Sequence, residues 1–291
     1  MTAARSVGTR RTARRVRSHI AAALTLLAGL APVPGADALA QTVRTIAVTP
    51  QFEHRQLFSI WKPIVAELER RTGMRFKLVA SLSLEEFEHE FAKGVNDFVY
   101  ANPYLLLKEH DQGYIPLVRD KTPVRGILVV RKDSAIQSPA ELDGKKVAFP
   151  SPNALGAGLL LRADLDQLYK ARVVPIAART HTSSYIHVIN GLADAGGGVL
   201  ATLAQQTPEI RDALRVLYTT RAAPSLPLAA HPRVPVAERD KVRRAMLELA
   251  ATAEGRRLLA RVPMPEPIAA DIKEYLAMRA WHLDAYWVSD F

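Results

Sequence analysis

VAFPSPNALGAGLLLRADL, residues 147–165, decides how this chain is read. Its opening apolar residues are the end of a buried strand, Pro150, Pro152 and Asn153 make a turn, and Leu155 to Leu165 is an apolar helix. A strand that runs through a short turn directly into a helix is half of a βαβ unit. The turn carries no lysine, no arginine and no signature of a catalytic nucleophile. What it faces therefore depends on the rest of the chain.

Outward from that stretch the same alternation repeats. VRTIAV from Val43 is a first strand. Leu57, Ile60, Trp61, Ile64, Val65 and Leu68 then recur at i, i+3, i+4, i+7, i+8 and i+11, one apolar stripe of a helix that Gly73 ends. Pro63 inside the stripe predicts a late start or a kink. RFKLVA is a second strand, SLEEFEHEFAKG a helix begun by Ser83 and stopped by Gly94, and DFVYA a third strand. YIPLV and RGILVV follow as strands, then Ser138-Pro139 as an N-cap with proline at the first helical position, and KKVAF. Beyond the opening stretch come ARVVPIA, a helix over 183–190, ADAGGGV and LRVLYTT, then helices over 236–250, 253–260 and 268–279. This order is an α/β class with mainly parallel sheets. If the last helices pack back on the first half, the chain passes between two lobes twice, near 122–128 and 220–226. A two-stranded crossing is a hinge. The expected division is a signal peptide at 1–40, lobe one at 41–124 and 224–291, and lobe two at 125–223.

The first forty residues differ from the rest. Six arginines (Arg5, Arg10, Arg11, Arg14, Arg15, Arg17) precede an apolar run from Ile20 to Leu30, and Ala38-Leu39-Ala40 follows. That is the pattern of a secretory leader cut after Ala40, with an apolar region too short to span a bilayer. Thr9-Arg10-Arg11 has a faint twin-arginine character, with Ala13 where a strongly apolar residue is expected. Six arginines less Asp37 account for +5 of the chain's +10, so the exported portion carries +5. No clustered Lys/Arg stripe accompanies that charge, which argues against nucleic acid as a partner. The sequence has no cysteine, which excludes disulfides, zinc-thiolate sites, a thiol nucleophile and a lipid-anchored N-terminus of the bacterial lipoprotein kind. The expected location is free in the periplasm, with no membrane span after leader removal and a monomeric state.

Catalytic signatures are missing from the text. There is no G-x-S-x-G elbow, no G-x-x-x-x-G-K-[ST], no G-x-G-x-x-G at Gly156 and Gly158, and no second histidine after His89. None of the eight histidines pairs with another at metal-ligand spacing. The expectation is a protein with no enzymatic activity, no cofactor and no metal. Three polar clusters fall at strand ends, where open α/β sheets hold ligands. They are Tyr100, Asn102 and Tyr104 in YANPY; Ser151 and Asn153, with Leu155 and Gly156 opening the next helix; and His181, Thr182 and Ser183 in THTSSY, with Asp194 downstream. Each has a plain structural alternative: the tyrosines as core edge, Ser151 and Asn153 as helix caps, His181 as a satisfied histidine, Asp194 as a turn residue.

Several stretches together resemble the phosphate/phosphite/phosphonate-binding proteins of ABC importers, two-lobed type II periplasmic binding proteins. They are SIWKPIVAELERRTGMRFKLV, DFVYANPY with GYIPLVR, DSAIQSPAELDGKKVAF and THTSSYIHVINGLADAG, which span nearly all of the chain after residue 40. The resemblance implies a ligand cleft between hinged lobes, a small oxyanion as ligand and an ABC permease as partner. A sensory module of the same fold acting on a histidine kinase is the alternative it leaves open. It places Tyr104 near a ligand-facing tyrosine, His181 on a site histidine with Thr182 where an aspartate would stand, and Asp194 on the aspartate of an ADAG run. The chain departs from the family at the opening stretch. Where relatives carry three hydroxyl residues that grip an oxyanion, this chain has Ala154, Leu155 and Gly156. Losing three such hydrogen bonds would forfeit about 1.5–3 kcal/mol each. The helix N-terminus, with its unpaired N–H groups, remains.

Overall fold

A computed structural model describes residues 42–52 and 54–289; the expected leader and its cleavage point lie outside the described residues. The elements follow in order as β1 (Val43–Val48), α1 (His54–Thr72), β2 (Arg75–Val79), α2 (Leu84–Ala92), β3 (Phe98–Tyr100), α3 (Pro103–Lys108), β4 (Ile115–Asp120), β5 (Gly126–Arg131) and β6 (Lys146–Phe149). A π-helical turn (Leu155–Leu160) then runs straight into α4 (Leu161–Tyr169). Next come β7 (Val174–Ala177), α5 (His181–Ile189), β8 (Ala195–Val199), α6 (Leu200–Ala204), α7 (Pro208–Arg211) and β9 (Leu214–Thr219). The chain ends with β10 (Pro227–Ala230), α8 (Val236–Ala250), α9 (Ala253–Leu259), β11 (Pro267–Ala269), α10 (Ile272–Leu276) and two 3₁₀ segments, Ala277–Trp281 and Leu283–Tyr286.

The strands form two sheets, ordered β11-β4-β10-β3-β1-β2 and β7-β6-β8-β5-β9. Both are mixed, not mainly parallel. β1 pairs parallel with β2 and β3, and β6 with β7 and β8, as crossover helices require. The strands that enter or leave at the crossings run the other way: β10 lies antiparallel to β3 and β4, and β5 antiparallel to β8 and β9. The two crossings are tied to each other by paired bonds of 2.9 Å between the Val124 and Ala223 backbones.

Strand alternation distributes the first lobe's core over two faces. Ile46, Val48, Phe98 and Tyr100 point into a cluster with the stripe of α1 and with Val242, Met246 and Leu249 of α8. Ala47, Val99 and Ala229 point to the opposite face, where Phe87, Phe91 and residues 104–107 pack. α1 starts at His54, well ahead of Pro63. Proline cannot donate to the Ser59 carbonyl, and Arg261 Nη1 takes that acceptor instead at 3.3 Å. Ser83 caps α2 by accepting from Glu86 N at 3.1 Å, and Gly94, at φ 61°, ends it. The helix read over 268–279 is instead β11, the short α10 and a 3₁₀ turn. β11 pairs with β4, and the Asp120 carboxylate accepts from Glu266 N at 2.8 Å, which holds the segment extended. Among the described residues no helix is long and apolar enough to cross a membrane.

Candidate functional site

The run 155–165 is largely apolar and buried on two sides, whereas Asp166, Gln167 and Leu168 beyond it are exposed. Leu155, Leu159, Leu160 and Ala163 join the first lobe's cluster of Phe87, Tyr104, Leu105 and Leu106. Leu161 and Leu165, on the other side, pack with Leu128, Val130, Val147 and Phe149 of the second sheet. The turn after β6 therefore faces the other lobe. At its start the helix winds wide: Gly158 N and Leu159 N both donate to the Ala154 carbonyl, at 2.8 and 3.0 Å. Such turns recur at functional sites. Glycines let the sheet approach it. A Cβ on Gly126 would sit 2.0 Å from the Gly156 carbonyl oxygen, and one on Gly197 2.3 Å from that of Ala157.

The seam between the lobes is formed where α3, at the carboxyl end of β3, meets the turn at the carboxyl end of β6. Asn102 caps α3, its Oδ1 accepting from Tyr104 N at 3.1 Å, while its Nδ2 donates to the Asn153 carbonyl at 2.6 Å. Asn153 is wholly buried. Its Nδ2 donates to Glu88 Oε2 (3.0 Å) and to the Val288 carbonyl (2.8 Å), and its Oδ1 accepts from Val288 N (3.0 Å). Ser151 Oγ accepts from Asn153 N at 3.2 Å and so shapes the turn; it caps nothing.

Three polar atoms near this edge are buried without a hydrogen-bond partner among the described residues: Glu88 Oε1, Tyr104 Oη and His181 Nδ1. Burial pushes the Glu88 carboxyl up to about 7, against the opposing pull of the Asn153 donor. Burial, with the Asp284 carboxylate second, holds the Tyr104 hydroxyl well above its usual range. Burial alone pushes His181 down to about 4, so its imidazole is neutral. His181 opens α5 just past β7, which pairs with β6, and so stands at the same end of the second sheet as Ser151. Thr182 is exposed, and Ser183 contributes its N–H to the Thr180 cap at 3.0 Å.

The structure does not bring the other two predicted residues to this seam. The Tyr100 ring points to the opposite face of its sheet, 5.0 Å from Trp61, because alternation along β3 sends it there. Asp194 lies at the far end of β6, where its carboxylate accepts from Lys146 N at 2.9 Å. It borders an open depression of about 290 Å³ with Arg131, Asp133 and Ser134. A second depression, of about 370 Å³, is lined by His110, Tyr114, Ile115 and Arg243 on the outer side of the first lobe. Gly156 is confined as well: a Cβ there would lie 2.8 Å from Val124 Cγ1, so the third hydroxyl of the family pattern has no room in this arrangement. The sequence reading made nothing of Glu88 or of residues 281–288. Neither carries a local motif, and their roles arise from contacts 65 and 135 residues away along the chain.

Among the described residues no cluster of His, Cys, Asp and Glu is arranged to hold a metal ion. No curated protein sequence matches the chain. Solved structures match its fold. A binding-protein component of an ABC phosphonate transporter from Pseudomonas aeruginosa aligns at TM-score 0.69 and 18% identity, over 83% of this chain and 85% of that one. PhnD1 from Prochlorococcus marinus, in complex with methylphosphonate, aligns at TM-score 0.74 and 14% identity, over 84% and 98%. A Xanthomonas citri protein solved with bound ATP aligns at TM-score 0.66 and 16% identity, over 84% and 98%. The sequence model of the family described as "ABC transporter, phosphonate, periplasmic substrate-binding protein" matches residues 46–275. With two mixed sheets flanked by helices, a seam at the carboxyl ends of their strands and a family match along most of its length, the chain belongs to the periplasmic substrate-binding proteins of ABC phosphonate transporters.

Proposed function

We propose that the chain is the periplasmic receptor of an ABC importer, that it admits a small phosphonate-like anion at the seam between α3 and the 151–156 turn, and that it delivers that ligand to a membrane permease. The observation that carries the reading is the convergence of two helix N-termini across the seam, bridged by Asn102 and Asn153. The positive ends of helix dipoles attract an anion without any lysine or arginine, and backbone donors come from the helix that opens at Leu155, since in α3 Pro103 has no N–H and those of Tyr104 and Leu105 are held by Asn102. Opening about the Val124–Ala223 bridge exposes Asn102, Tyr104, Ser151, Asn153 and Leu155. The buried unpaired His181 Nδ1 lies at the same end of its sheet, with Thr182 and Ser183 beside it. Gly156 serves by size alone, letting Val124 and Val199 close against the turn. Closure follows from contacts made to both lobes at once, the only contacts that favour the shut form. The protein acts by binding, with no bond made or broken, and works as a monomer in the periplasm after its leader is removed.

Thermal unfolding and titration calorimetry of residues 41–291 with methylphosphonate, phosphite, phosphate, sulfonates and small carboxylates test this. A cognate ligand at 100 times its Kd stabilises by about 2.7 kcal/mol. In a chain of this size that raises Tm by roughly 5–10 °C. No rise with any of these ligands would remove the anion reading.

A further inference from the structure

The last stretch of the chain touches both lobes, and nothing in anion capture accounts for it. On the first lobe Tyr275 is fully buried and donates to the Ser225 carbonyl at 3.3 Å, and Met278 and Leu283 join the cluster of Tyr104 and Leu105. The Trp287 ring lies 5.8 Å from that of Tyr104, with Lys108 Nζ 5.3 Å from its centre. From this anchorage the segment reaches the second crossing at one point and the second lobe at two. The Arg221 guanidinium, which is bonded to Asp164 at 2.8 Å, lies 5.5 Å from the Trp281 ring. Tyr286 Oη donates to Asp166 at 2.6 Å. The Val288 peptide is paired in both directions with the Asn153 side chain.

The covalent connection between the lobes is two chain segments, 121–125 and 220–226, joined by the single Val124–Ala223 bridge, which leaves rotation about one hinge free. A third attachment made after the second crossing removes that freedom without being needed for connectivity. Its bonds to the second lobe are directional and made at partly exposed tail residues, so on the tail side each trades against water when it breaks, while the parting seam separates Leu155 and Leu159 from Phe87 and Tyr104. We propose that residues 281–288 form a clasp that holds the two lobes shut with no ligand between them. A ligand entering the seam must displace the Val288 end of this clasp from Asn153, and shut and open forms interconvert by its release. The proposal concerns the ligand-free protein and stands whether or not the anion reading does.

The absence of cysteine allows a direct test. Leu82→Cys on the first lobe and Leu168→Cys on the second, at side chains 81% and 58% exposed, carry spin labels whose separation is measured in the purified ligand-free protein. The parent gives a single narrow distance. Tyr286→Phe, Trp287→Ala and Val288→Pro combined, all at half-buried positions, remove the bond to Asp166, the contact with Tyr104 and the N–H given to Asn153. The expected result is a second, separate distance whose population is raised about tenfold or more, with circular dichroism unchanged. A chain ending at Trp281 is expected to show the same second distance. If the parent is already broad, or the triple variant superimposes on a narrow parent, the clasp is overturned. Should the truncated chain fail to fold, the triple variant alone decides.

Discussion

Asn153 and Glu88 are joined by a hydrogen bond in the seam, and their chemistry sets a pH dependence. An exposed glutamate ionises near 4.5, whereas burial in the seam holds Glu88 protonated up to about 7. Between these values the folded protein carries a proton that the unfolded chain has released, so stability falls as pH rises from about 4.5 through about 7 and levels off above it. Glu88→Gln keeps an acceptor for Asn153 Nδ2 and cannot ionise. The variant is expected to lack this component of the fall, so its Tm minus that of the parent grows between pH 5 and pH 8. A constant difference across that range would mean that Glu88 does not titrate there. His181 shifts the other way. Its lowered value stabilises the fold fully above about 6.5, and that contribution is lost as pH falls toward about 4. The two residues differ in legibility. His181 stood out as a polar residue at a strand end, while Glu88 reads as one more charge on an amphipathic helix. Only the loop that approaches from residue 153 turns it into part of a site.

At the scale of elements, the run 155–165 is where local signals and tertiary contacts meet. Its apolar sequence marks it as buried, but a helix buried on one side and a helix buried on two look alike when no polar stripe is required of either. Its fit against the second sheet depends on glycines that leave room for its carbonyls. Gly126→Ala places a methyl 2.0 Å from the Gly156 carbonyl oxygen, backbone against backbone, which no rotamer can relieve. We expect a loss of about 3 kcal/mol, the upper part of the range for overpacking, read as a lower urea midpoint at unchanged m-value. A variant as stable as the parent would mean that β5 and the π-helical turn are further apart than described.

Across the whole molecule the apolar cluster does not respect the lobe division. Leu155 and Leu159 belong to the same buried set as Phe87 and Tyr104, while each lobe also keeps buried clusters of its own, so parting the seam opens this one shared cluster. The two lobes should therefore melt together in one calorimetric transition. Leu155→Asp puts an unpaired carboxylate into that set and is expected to lower the first melting event by several degrees and to split the trace in two. A single, uniformly lowered peak would show that coupling runs mainly through the crossings at Val124 and Ala223.

Local patterning suffices for the alternation of strands and helices and for the caps at Ser83 and Ser138. Periodicity, turn residues and capping side chains act over a few positions and leave their mark in the text. Strand direction at the crossings, the burial of Tyr100 away from the seam, the placement of Asp194 at the far end of β6 and the return of residues 281–288 across both lobes were decided only in the folded chain. Each depends on partners many residues away, and contacts of that kind acquire energy only when packing has removed the intervening water.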